Sequence, residues 1–304
     1  MIGALGRLAG GPISWGVCEV PGWGAELPRD RVLAEMSSLG LTATEAGPDG
    51  YLGSEADEVV AVLARHGLRL VGGFLPVVLH DSAEHEASLR AAHRVAALFE
   101  AAGASFLVSA VVTDLDWSPR RELSQPEWQA VFTGLARLDE AAAAHGLVHV
   151  THPHWGTLVE RPEDVGHLLD GCDARFCLDT GHLALGGSDP AEMAAAAGDR
   201  VRHVHLKDID GTLATRLRAG EIEYVPAVQQ GLFRALGDGD AQVAETVRTL
   251  ERAGYRGWYV LEQDCALPSA DIPDGKGPIV DVHRSIEFLL ELDGGNPEYA
   301  AEGR

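Results

Sequence analysis

Lysine is nearly absent from this sequence: of its 24 basic residues only Lys207 and Lys276 are lysines, and the rest are arginine. Base as a whole is scarce, since 46 acidic residues leave a formal net charge of −22. Most of such a surface repels phosphate backbones and anionic lipid, which argues against nucleic-acid and membrane partners. Cysteine is also thin. Cys18, Cys172, Cys177 and Cys265 lie far apart, and the one short gap, between Cys172 and Cys177, matches neither a redox Cys-x-x-Cys nor a structural zinc spacing. They read as the reduced thiols of a cytoplasmic protein. No apolar run reaches about 18 residues, and the amino terminus lacks a charged segment leading into a long apolar one, so neither a spanning helix nor a signal peptide is expected. No Gly-x-Gly-x-x-Gly follows a candidate strand, so no dinucleotide fingerprint is present.

What is there is an ordinary globular composition, 46% hydrophobic and 23% charged over 304 residues. At roughly 150 residues per domain, that length allows two domains or one large α/β barrel. Short apolar, β-branched runs at 13–17, 43–46, 68–74, 106–112, 147–152, 175–179, 201–206 and 258–262 alternate with helical patterns at 28–38, 55–66, 82–102, 126–145, 162–169, 190–197, 241–253 and 280–292. Asp189-Pro190 reads as a helix N-cap and first turn. Gly40, Gly67, Gly103, Gly146 and Gly254 stand where a helix ends in a left-handed residue. Eight βα units with no linker or composition break favour a single (β/α)8 TIM barrel spanning residues 1–304, with its core at about 11–292 and a mobile polar tail at about 294–304. Residues 208–240 are too long for a plain connection and read as an active-site loop with a short helix near 225–236.

In such a barrel, function collects where strands end. The fifth candidate strand runs into His152-Pro153-His154, the sixth into Asp179-Thr180-Gly181-His182, the seventh through His203 and His205 to Lys207-Asp208, and the eighth into Glu262-Gln263-Asp264. Only alternate residues of a strand face the interior, so His152, Asp179, His205 and Glu262 form one set of two imidazoles and two carboxylates from four adjacent strands. That set suits one divalent ion, Mn²⁺ or Co²⁺, with Zn²⁺, Fe²⁺ or Mg²⁺ as alternatives. A fifth strand two residues longer would put His154 in place of His152. Lys207, a rare lysine at a strand end, is expected to have a lowered pKa and to act as an acid or base, the alternative being a rim ion pair with Asp208 or Asp210. Trp15 is a candidate to stack on a substrate ring, and Glu45 to accept from a substrate hydroxyl. Glu160 either binds substrate or caps the helix that follows it.

Several segments together resemble the inosose dehydratase branch of the xylose isomerase-like TIM barrels: Ile13-Ser14-Trp15-Gly16, Glu45 to Tyr51, the His-Pro-His-x-Gly-Thr segment from His152, Leu178-Asp179-Thr180-Gly181-His182, His203-Val204-His205-Leu206-Lys207-Asp208 and Val260 to Asp264. The resemblance runs from about residue 11 to 290. It implies one divalent metal held by His152, Asp179, His205 and Glu262, and a small polyol or sugar as substrate. Ketose epimerases of the same superfamily carry a glutamate at the fifth-strand ligand position, where this chain has His152. That favours dehydration of a keto-inositol or related cyclic ketone through an enediolate over two-carboxylate epimerisation, with isomerase or epimerase chemistry as the alternative. Lys207 or Glu262 would be the base, and His154 or His182 the acid that protonates the leaving hydroxyl and contacts substrate. A DNA-repair endonuclease, also of this superfamily, is disfavoured by the charge. Assembly into a homo-oligomer is left open.

Overall fold

The computed structural model describes residues 4–18, 20 and 22–292; the expected tail at 294–304 lies outside them. The chain runs from β1 (Leu8–Gly10) through α1 (Arg29–Ser38), β2 (Ala43–Thr44), α2 (Ala56–Arg65), β3 (Arg69–Leu70), β4 (Gly72–Val77), α3 (His85–Ala101), β5 (Phe106–Val111), α4 (Gln125–Ala143), β6 (Val148–Thr151) and α5 (Pro162–Gly171) to β7 (Phe176–Asp179). It continues with α6 (Thr180–Gly186), α7 (Pro190–Ala197), β8 (Val201–Leu206), β9 (Asp208–Ile209), α8 (Gly211–Arg218), α9 (Tyr224–Gln229), β10 (Phe233–Arg234), α10 (Val243–Arg252), β11 (Tyr259–Leu261) and α11 (Pro278–Leu292).

Parallel pairing gives the order β3-β2-β1-β11-β8-β7-β6-β5-β4. The two ends of that order are consecutive in the chain, separated by Val71 alone. Its N–H donates to Thr44 O at 2.9 Å, and its carbonyl accepts from Ser105 N and Phe106 N at 2.9 and 3.1 Å. Residues 69–77 are therefore one broken strand that closes the sheet, and the nine segments make an eight-position barrel. β9 and β10 form a separate antiparallel pair beside it.

Alternation sorts each strand into two faces. Ala9, Ala43, Val71 and Val260 pack together in the barrel interior, as do Val108, Val150 and Cys177. The other face feeds the main core against the helices, with Leu8, Leu107, Phe176, Leu178, Val204 and Leu261 buried there. Two places beyond Ala43, Val150, Cys177, His203 and Val260 stand Glu45, His152, Asp179, His205 and Glu262, so the period that builds the core also delivers polar groups to its mouth.

Two expectations are corrected. Residues 13–17 are not the first strand: Pro12–Trp15 is a 3₁₀ turn, and the strand is the three buried residues Leu8–Gly10 before it, so the core begins ahead of residue 11. The 208–240 segment holds two helices and an antiparallel pair of two-residue strands rather than one short helix. Asp208 organises it by accepting from the N–H groups of Gly237, Gly239 and Ala241 at 2.9, 3.1 and 2.9 Å. The left-handed glycines at 40, 67, 103, 146 and 254 all have φ between 66° and 82°, and Asp189 caps α7 through Ala191 N and Glu192 N. No helix among the described residues is long and apolar enough to cross a membrane.

Candidate metal and catalytic site

Asp179 ends β7 and caps α6. Its Oδ1 accepts from His182 N at 2.8 Å, which fixes the carboxylate and leaves Oδ2 facing the mouth. Around Oδ2 stand Lys207 Nζ at 3.2 Å, His152 Nε2 at 3.6 Å and His205 Nδ1 at 3.7 Å. His205 Nδ1 is also 3.1 Å from Glu262 Oε2. Each imidazole is held by its other nitrogen: His152 Nδ1 donates to Pro153 O at 2.8 Å and His205 Nε2 to Glu45 Oε1 at 3.0 Å. These bonds leave His152 Nε2 and His205 Nδ1 directed inward, the arrangement that ligand histidines require.

Asp179 Oδ2 and His205 Nδ1 are buried without a hydrogen-bond partner. Each has only a charged neighbour, Lys207 Nζ at 3.2 Å for Asp179 Oδ2 and Glu262 Oε2 at 3.1 Å for His205 Nδ1, and one cation would coordinate both atoms. Candidate ligand atoms of Asp179, His205 and Glu262 lie within 4.8 Å of one another, as do those of His152, Asp179 and His182. The two groups share Asp179, and between them they contain the four residues expected from alternation. The donor set, nitrogen and carboxylate oxygen, suits a divalent ion. Cys177 lies near His152 and His205, and burial pushes its thiol up to about 11.

Lys207 is 3% exposed and sits among three carboxylates: Glu262 Oε2 at 2.7 Å, Asp264 Oδ1 at 3.0 Å and Asp179 Oδ2 at 3.2 Å. Room for it comes from Gly181, where a Cβ would fall 2.5 Å from Lys207 Cβ. Burial opposes its charge, but Asp179, Asp264 and Glu262 outweigh burial and hold the ammonium well above its ordinary range. The expected lowering is thus reversed, and the rim pairing with Asp208 or Asp210 is not formed. Burial would raise Glu262, yet His205 and Lys207 bring it to about 2. His154 falls to about 3 through burial, His152 and Lys207, and His182 drops well below its usual value through burial, His154 and Lys207. Both are neutral at pH 7, so neither is the imidazolium acid the sequence suggested.

The model for the family described as xylose isomerase-like TIM barrel matches residues 33–291. The chain belongs to this family. Inosose dehydratase of Geobacillus kaustophilus (strain HTA426) is 30% identical over 85% of this chain and 87% of its own length. The rhizopine catabolism protein MocC of Rhizobium meliloti is 32% identical over 85% of this chain and 81% of its own. Among solved structures, the IOLI protein with a binding zinc atom superposes with a TM-score of 0.68 at 13% identity, covering 94% of this chain and 97% of that one. Its likeness is one of fold.

Not every expected residue joins the cluster. Trp15 is fully buried, with its Nε1–H donating to Glu35 Oε2 at 2.7 Å, so it ties the 3₁₀ turn to α1 and offers no ring face to a substrate. Glu45 is buried with Oε1 occupied by His203 and His205, so it braces the ligand layer from below rather than meeting a substrate hydroxyl. Glu160 turns back to accept from Gly156 N at 2.6 Å, and the cap of α5 comes from Asp164, which accepts from Arg161 N at 2.9 Å. His154 packs on His182, ring centroids 3.7 Å apart, beneath Phe74 and Trp117. It belongs to the wall of the mouth. Two residues were not chosen as site residues from the sequence: Asp264, named only as part of the eighth strand's end, and Tyr224, whose hydroxyl donates to Asp264 Oδ2 at 2.8 Å. Asp264 was discoverable, because it follows Glu262 by two on the same alternation.

Proposed function

We propose that this protein is a metal-dependent hydro-lyase that dehydrates a keto-inositol or a related cyclic polyhydroxy ketone. The observation that carries the reading is the 2.7 Å approach of Lys207 Nζ to Glu262 Oε2, an ionised carboxylate and an ammonium side by side. Elimination needs one group to take a proton from carbon and another to give one to the neighbouring hydroxyl, and this pair supplies both from one side of the substrate.

His152, Asp179, His205 and Glu262 are the residues that would hold a divalent ion, Mn²⁺ or Co²⁺ by donor type. When bound, such an ion polarises the substrate carbonyl and offsets the negative charge that grows as the α-proton leaves. The Glu262 carboxylate accepts that proton as the carbon–hydrogen bond breaks. Lys207 gives a proton to the β-hydroxyl, which departs as water while the carbon–carbon double bond forms, leaving an enol that tautomerises to a diketone. Glu262 then returns its proton to Lys207, which restores both groups. Neutral His154 and His182, with Phe74 and Trp117, form a wall suited to a ring that is apolar on its face and polar at its edge.

The inosose dehydratase relatives support this reading, and so does the imidazole at position 152, which leaves Glu262 without a facing carboxylate of the kind a two-base epimerase uses. A mass-spectrometric screen of inososes and ketoses with the metal-loaded protein tests it. Loss of 18 mass units from an inosose is the expected result; turnover to an isomer of unchanged mass, or none with any inosose, overturns it.

A further inference from the structure

The Lys207 ammonium and a divalent cation have claims on the same oxygens. Asp179 Oδ2 and Glu262 Oε2, both candidate metal ligands, are 3.2 and 2.7 Å from Lys207 Nζ. Two cations cannot share those oxygens at such distances without strong mutual repulsion in a buried site. Lys207 has one further charged partner there that belongs to neither metal triad: Asp264 Oδ1, at 3.0 Å. Asp264 is 7% exposed, its Oδ1 makes no hydrogen bond, and its Oδ2 is fixed by the Tyr224 hydroxyl at 2.8 Å.

We propose that Asp264, held in place by Tyr224, is the positioning residue to which Lys207 withdraws when a divalent cation takes Asp179 and Glu262, so that metal and ammonium occupy the mouth together. This rests on the metal site proposed above. Asp264 then acts on metal binding through Lys207, not as a ligand. Tyr224 lies on α9, in the excursion between β8 and β11, which also brings Phe233 beside His182 and Lys207.

The test is a double-mutant cycle read by calorimetric titration of chelator-stripped protein with Mn²⁺ alone, at fixed pH and salt. K207M removes the competing cation and should tighten Mn²⁺ binding. D264N should weaken it about tenfold when lysine stands at 207, and much less when K207M is also present, a coupling of the size found for contacting charged groups. Y224F should follow D264N in direction with a smaller effect, also cancelled by K207M, and it serves as the second variant should D264N fold poorly, as judged by thermal melting. Equal losses from D264N in both backgrounds would make Asp264 a remote charge and overturn the proposal, as would weaker Mn²⁺ binding in K207M. If the wild-type protein binds none of Mn²⁺, Co²⁺ and Zn²⁺, the metal site itself falls and this inference with it; binding with a flat cycle removes this inference alone.

Discussion

Glu45 Oε1 stands 3.0 Å from Nε2 of His205 and thereby turns the opposite ring nitrogen, Nδ1, toward Asp179 and Glu262. The same oxygen accepts from His203 Nε2 at 2.8 Å, so one buried carboxylate just past the end of β2 carries two imidazoles of β8. Without it the ring has no reason to keep its orientation or its basicity. E45Q should therefore weaken divalent-metal affinity by about 10- to 100-fold, the usual scale for losing a partner of a ligand histidine, and lower activity in step. Metal titration alongside thermal melting checks this; unchanged affinity in a folded variant would deny Glu45 its role.

His152 and His154 differ in what they face. His152 Nε2 faces Asp179 Oδ2 at 3.6 Å, whereas His154 is absent from the candidate ligand groups and packs on His182 instead. H152A should lose most bound divalent ion, and H154A should keep it while raising KM for a ring substrate. The reverse order in metal analysis would move the ligand to His154.

The parts of this site that were readable in the sequence are those written in strand periodicity. His152, Asp179, His205 and Glu262 each end an apolar run on its inward face, and that face is set by alternation alone. What escaped reading depends on contacts between distant segments. Leu8–Gly10 is a three-residue strand followed by Gly11 and Pro12, which resembles a turn, while the β-branched residues just after it belong to a 3₁₀ turn; Trp15 was misplaced in consequence. α6 contains Gly181 and Gly186 and looks like loop, yet Asp179 caps it and Gly181 must be small to admit Lys207. The charge on Lys207 depends on Asp179 and Asp264, brought beside it by closure of the barrel, which no local pattern reveals.

A stability test away from the site concerns the start of α4. Glu127 accepts from Arg121 Nη2 at 2.5 Å and from the Ser124 N–H and hydroxyl at 2.8 and 2.6 Å. The Arg121 bond first, then the two from Ser124, bring its carboxyl down from 4.5 to about 2. A depressed carboxylate stabilises the fold fully above its unfolded value, and that contribution is lost as pH falls through the folded one. The wild-type protein should melt slightly above E127Q at pH 7, by a small margin since the pair is largely exposed to solvent. That margin should shrink below pH 4.5 and vanish near pH 2. A margin that persists or grows on acidification contradicts the assignment.

K207M addresses the acid. Loss of a general acid or base costs about 10²- to 10⁴-fold in turnover, so K207M at saturating metal should lower kcat by at least about a hundredfold with little change in KM. A kcat near that of the wild type would leave Lys207 as a counter-ion only.

The sharpest division is between water loss and inversion, and it turns on the imidazole at 152. Inversion through an enediolate requires proton transfer at both faces of a planar carbon, whereas the groups placed here to move protons, Glu262 and Lys207, are 2.7 Å apart and approach from one side. His152 spends Nδ1–H on Pro153 O and turns Nε2 to Asp179, so it has no proton to exchange at the opposite face. In D₂O with a keto-inositol, the metal-loaded enzyme should release a product lighter by one water and leave recovered ketone with little deuterium and no inversion. Rapid deuterium uptake with inversion and no loss of water would replace the lyase with an epimerase. H152E extends the argument: it supplies the missing carboxylate on the other side while retaining an oxygen ligand, so it should keep the metal and shift recovered material toward deuterated, inverted ketone at the expense of diketone. If H152E binds metal and still yields only diketone, residue 152 is not what separates the two reactions.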